Sequence, residues 1–151
     1  QIPVSKKFYR VLQVSSHRTD VGTKLLYPVR GHLTDPYGWR IHPIYRRRLF
    51  HAGIDISAPR GTPICAAQGG TVVYSGWLQG YGKLVVIRHP NGVSTRYGHC
   101  SSIRTKVGQS VKRGQIIGTV GSTGTATGNH LHFEVRRNGV TVNPLALLGK
   151  N

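Results

Sequence analysis

The sequence predicts an all-β fold, a compact antiparallel β-sandwich or barrel-like domain. Short runs rich in Val and Ile recur at close spacing, and 20 Gly and 8 Pro punctuate a chain of 151 residues. Turn signals separate the runs, as expected of short strands in a sandwich or barrel. Only residues 144–148, at the end, suggest a helical turn.

In order, strands are expected at 54–56, 71–75 and 84–88. His89-Pro90-Asn91-Gly92 then forms a hairpin turn into a strand at 93–97. Further strands follow at 115–120 and 131–136, and Asn138-Gly139 turns the chain back through 140–142. Residues 31–48 read as loop, on Asp35-Pro36, Tyr37-Gly38 and His42-Pro43. Residues 1–27 form a basic extension of unknown role, with one candidate strand at 11–14. Tyr27-Pro28-Val29-Arg30-Gly31 marks its boundary with the main domain, 28–151. The chain opens at Gln1 without Met and without a signal pattern, so a leader has been removed or the chain shortened.

Length alone permits a core without disulfides. No apolar stretch approaches the ~18 residues of a membrane span, so an integral span is not expected. Cys65 lies in the apolar stretch Pro63-Ile64-Cys65-Ala66-Ala67 and reads as a buried thiol, while a Cys65–Cys100 bond stays open.

Charge is more telling. Lys and Arg number 21 against 4 acids, a net charge of +17. Such a chain is drawn to polyanions, whether nucleic acid, anionic membrane or anionic cell-wall polymer, or else simply carries a solvated basic surface. It shows no zinc-finger, RNP or basic-zipper pattern, so no specific nucleic-acid partner is expected. The acids are Asp20, Asp35, Asp55 and Glu134. So few carboxylates can hardly build a Ca²⁺ or Mg²⁺ site, whereas 8 His favour a nitrogen-ligated transition metal.

His51 and Asp55 are four apart in His51-Ala-Gly-Ile-Asp55. On a strand that even spacing puts both on one face, with Ile54 and Ile56 turned to the core. His130 and His132 likewise share a strand face, and Glu134 follows on it. Both could approach one metal, or one could ligate while its neighbour does acid–base work. His99 stands at a strand end after Gly98. Each alone also reads as a surface or hydrogen-bonded histidine. Together they change meaning, because two His and one carboxylate make a catalytic zinc set with an open position for water. Two further His could supply the proton chemistry.

The motif His51-Ala-Gly-Ile-Asp55-Ile-Ser-Ala-Pro-Arg-Gly-Thr-Pro, the Gly128-Asn129-His130-Leu131-His132-Phe133-Glu134 segment and Tyr97-Gly98-His99 resemble the lysostaphin/LytM-type M23 metallopeptidases. The segment Val107-Gly-Gln-Ser-Val-Lys-Arg-Gly-Gln-Ile-Ile-Gly and Gly121-Ser-Thr-Gly match their connecting strands and loop, so the resemblance covers about residues 28–148. It implies one Zn²⁺ per chain, held by His51, Asp55 and His132. It implies His99 and His130 as the catalytic pair, with His130 as general base and His99 assisting or stabilising the transition state. It further implies an extracytoplasmic bacterial peptidoglycan endopeptidase that cuts peptide cross-links. The Arg40-Ile41-His42-Pro43 loop resembles members acting on direct cross-links. Arg40 and His42 are candidates for substrate carboxylates and Tyr45 for an oxyanion donor, but each reads better as a loop residue with a structural role.

Some members lack metal ligands and only activate amidases, so a non-catalytic wall-binding or amidase-activating module is the competing reading. A polyanion-binding protein with an incidental metal site is a third. All five positions are kept here, which favours the enzyme.

Overall fold

The computed structural model describes residues 2–3, 24–41 and 44–149. Thirteen strands occur among them. They are β1 (Ile2–Pro3), β2 (His32–Asp35), β3 (Gly38–Ile41), β4 (Arg48–His51), β5 (Ile54–Ser57), β6 (Pro63–Cys65) and β7 (Gly70–Leu78). They continue with β8 (Gly82–Arg88), β9 (Val93–Ile103), β10 (Ser110–Val111), β11 (Ile116–Val120), β12 (His130–Arg137) and β13 (Val140–Val142). Short 3₁₀ turns cover Pro90–Gly92 and Pro144–Ala146. The fold is all-β and antiparallel, as the sequence predicts, and the strands do not close into a barrel.

The main sheet runs β1-β2-β5-β12-β9-β8-β7-β10, with β11 joining β9 to β6 and β13 on β12. Strand β12 shows why. Leu131, Phe133 and Val135 are fully buried on one face, which frees His130, His132 and Glu134 for the other. Strand β8 buries Leu84, Val85, Val86 and Ile87 in succession, the pattern of a strand covered on both faces.

The segment 31–48, expected as loop, contributes β2 and β3. Neither strand has strong apolar alternation. Pairing with β5, far along the chain, orders β2, and pairing with β4 across a hairpin orders β3, so neither strand announces itself by its own alternation. The strand expected at 11–14 lies outside the described residues. Leu25 and Leu26 are buried, with their amides donating to the carbonyls of Leu147 and Ala67.

Candidate metal centre

His51 and Asp55 do not share a strand, contrary to the spacing argument. His51 ends β4 and Asp55 lies in β5, with Ala52 and Gly53 between. At Gly53 the chain passes so close to β12 that a Cβ would sit 2.3 Å from the Phe133 carbonyl oxygen. That approach permits the β5–β12 register, in which Asp55 faces His132 and Ser57 faces His130. On its other side His132 faces Gly98 of β9.

Placement of His99 depends on a bulge. Lys83 pairs with Cys100 and Val85 with Tyr97, so two residues of β9 oppose one of β8. His99 sits at the bulge with φ of 62°. The bulge breaks the alternation and turns its imidazole toward the same cavity. His51, Asp55, His99, His130 and His132 all border this cavity, of about 430 Å³, with Tyr81 and Glu134.

Ligand atoms of His51, Asp55 and His132 all lie within 4.8 Å of one another. His51 Nε2 is 3.4 Å from Asp55 Oδ2, and His132 Nδ1 is 2.9 Å from Asp55 Oδ1. His51 Nδ1 donates to the Pro36 carbonyl at 2.9 Å, leaving Nε2 for the cavity. His132 is held the other way round. Its Nε2 lies 2.8 Å from Glu134 Oε2, leaving Nδ1 for the cavity. Glu134 in turn accepts from Tyr81 Oη at 2.7 Å and from Arg136 at 3.0 Å.

The electrostatics follow from these contacts. Burial alone would depress His132, but its bonds to Asp55 and Glu134 outweigh that and raise it to about 9. Burial opposes charge on Glu134, yet bonds from His132, Tyr81 and Arg136 bring it down to about 2. Asp55 is likewise lowered against the effect of burial, by bonds from His132 and His51. Burial also opposes charge on His51, but Asp55, Pro36 and Asp35 together raise it.

His99 and His130 stand beside this set, their rings 4.9 Å apart. His99 Nδ1 donates to the Thr123 carbonyl at 2.7 Å, and His130 Nδ1 to the Gly128 carbonyl at 3.0 Å. In the neutral ring each then has Nε2 as its acceptor nitrogen, and His130 Nε2 lies 3.7 Å from Asp55 Oδ2. Burial lowers His99, aided by the charges of His130 and His132 and only partly offset by Thr123.

The remaining expectations divide. Arg40 borders the cavity and is ion-paired with Asp35. Tyr45 is exposed and is not among the residues bordering the cavity. His42 lies outside the described residues. Cys65 and Cys100 are free, buried thiols, with burial pushing Cys100 up to about 12. Sequence reasoning missed Tyr81 and Arg136 as partners of Glu134. The alternation of β12 signalled Glu134, whereas nothing local signals that Tyr81 reaches it from 53 residues away.

Comparison with known proteins gives one answer. The DD-carboxypeptidase/endopeptidase Mpg of Neisseria meningitidis is 47% identical over 115 residues, 76% of this chain and 26% of that protein. The peptidoglycan DD-endopeptidase ShyC of Vibrio cholerae is 47% identical over 105 residues, 70% of this chain and 24% of that protein. The chain thus spans about a quarter of the length of these relatives. The crystal structure of a zinc containing peptidase from Vibrio cholerae superimposes with a TM-score of 0.75 at 37% identity, covering 79% of this chain and 38% of that one. The model of Peptidase family M23 matches residues 49–144, a span that takes in His51, Asp55, His99, His130 and His132. The chain belongs to peptidase family M23.

Proposed function

We propose that this chain is a zinc-dependent endopeptidase that hydrolyses peptide cross-links of bacterial peptidoglycan, outside the cytoplasm. The observation that carries the reading is the convergence of His51, Asp55 and His132 within 4.8 Å, beside two imidazoles whose Nδ1 atoms are held by backbone carbonyls. Two imidazole nitrogens and a carboxylate suit zinc with a position left open. When bound, zinc supplies Lewis-acid activation of water and of the scissile carbonyl. The named relatives that cleave peptidoglycan support the substrate class.

The rest of the chemistry falls to the chain's own side chains. His130 Nε2 takes a proton from the attacking water as the new C–O bond forms, and returns it to the amine as the C–N bond breaks. His99 is neutral near pH 7 and its Nδ1 proton is committed to Thr123. Its Nε2 therefore accepts a hydrogen bond from the water's second O–H and orients the nucleophile, that proton staying on oxygen, rather than donating to the oxyanion. Glu134 holds His132 through Nε2, so this ligand is oriented before substrate arrives.

Zinc content and cleavage of purified peptidoglycan test this jointly. His132→Ala should lose both zinc and cleavage. His130→Ala should keep zinc and lose cleavage by ~10²–10⁴-fold. Normal cleavage by His130→Ala would overturn the acid–base assignment.

A further inference from the structure

The β3–β4 hairpin has two unlike faces. Its register sets Gly38 opposite His51, Trp39 opposite Phe50, Arg40 opposite Leu49 and Ile41 opposite Arg48. Residues opposite one another share a face. Arg40 and His51 therefore lie on one side, and both border the cavity. Trp39, Ile41, Arg48 and Phe50 lie on the other.

That second face is apolar, exposed and basic. Trp39 is 62% exposed and Ile41 68%, and beyond them Ile44 is 78% and Tyr45 69% exposed. Of the ten large apolar side chains exposed among the described residues, this hairpin carries five. Arg46, Arg47 and Arg48 are exposed beside them, with the Arg48 guanidinium 4.7 Å over the Trp39 ring. Among the described residues, no carboxylate offsets the charge of Arg46, Arg47 and Arg48. The described acids, Asp35, Asp55 and Glu134, all border the cavity instead. Apolar exposure this concentrated marks a contact surface.

We propose that this face docks on an anionic lipid surface. Aliphatic tips enter the headgroup–acyl boundary, Trp and Tyr rings lodge at headgroup depth, and Arg side chains pair with lipid phosphates. An acidic glycan or wall polymer would engage the arginines and the Trp39 ring, but would leave Ile41 and Ile44 in water. Docking on this face leaves the cavity, on the opposite face, open to substrate. The inference does not depend on the cavity being catalytic.

The chain has two Trp, at 39 and 77, which permits a direct test. Trp77→Phe leaves Trp39 as sole reporter, and Trp39→Phe leaves Trp77, which is also exposed. Each is mixed with vesicles of phosphatidylglycerol and phosphatidylcholine, about 3:7, with brominated acyl chains, and with phosphatidylcholine alone. Trp39 fluorescence should be quenched on the anionic vesicles and Trp77 fluorescence should not. In co-sedimentation, Trp39→Ser with Ile41→Ser should weaken binding ~10-fold or more, while Trp77→Ser should not. Three results would overturn the proposal: no binding, binding without Trp39 quenching, or equal quenching of Trp77. Self-association or wall binding lost in the double variant, with vesicle binding intact, would assign the face to that partner instead.

Discussion

Four histidines around the cavity each have one ring nitrogen engaged by a neighbour that fixes the other. His51, His99 and His130 give Nδ1 to the carbonyls of Pro36, Thr123 and Gly128. Only His132 is reversed, with Nε2 on the buried carboxylate of Glu134. Glu134 thereby decides which nitrogen His132 offers a metal. Glu134→Gln should weaken zinc binding ~10-fold or more, read by competition with a chromophoric chelator, and unchanged affinity would remove Glu134 from this role. The pKa values add a pH dependence. Without metal, folded His132 holds a proton up to about pH 9, whereas an unfolded histidine releases it near ~6.5. Its stabilising contribution is therefore complete below ~6.5 and lost as pH rises through 9. Zinc must displace that proton, so its effect has the opposite slope. The zinc-induced rise in Tm should grow between about pH 6.5 and 9, and a rise that shrinks over that window would contradict the ligand assignment.

At the scale of elements, the site depends on β5, β12 and β9 lying side by side in one register. Gly53 is the tightest point of that arrangement. A methyl there meets the Phe133 carbonyl oxygen at 2.3 Å, so Gly53→Ala should cost ~2 kcal/mol or more and lower zinc affinity as well. Thermal melts with and without zinc check both effects. Some of this was legible in the sequence. The alternation of 130–135 gave the face of β12 with Leu131 and Phe133 inward, and the run at 84–88 gave a strand, whose burial on both faces emerges only in the fold. The His51–Asp55 spacing picked out two side chains that do converge, with ligand atoms within 4.8 Å of each other and of His132, but through the wrong geometry, because the chain breaks at Ala52 and Gly53 between two strands. Strand β2 was illegible because its order comes from partners far along the chain, 25 residues away for His32 with Ser57, and β3 because its order comes from pairing with β4 rather than from its own alternation. The bulge that aims His99 is set by mismatched counts on β8 and β9, which no single segment records.

Across the whole molecule, charge is segregated. The described carboxylates border one cavity, while the chain as a whole carries a net charge of +17. We propose that a surface of this kind draws the protein to anionic envelope material over a screening distance of ~10 Å at moderate salt. Raising salt from ~0.05 to ~0.5 M should release the protein from purified cell wall, and salt-independent retention would refute the electrostatic account. The cavity itself carries the central claim. Its most direct test is mass spectrometry of muropeptides after digestion of purified peptidoglycan, with and without chelator and after zinc is restored. The account predicts that cross-linked dimers fall to monomers, that chelator stops the conversion and that zinc revives it. Intact dimers in the presence of zinc, or cleavage that persists without metal, would contradict it.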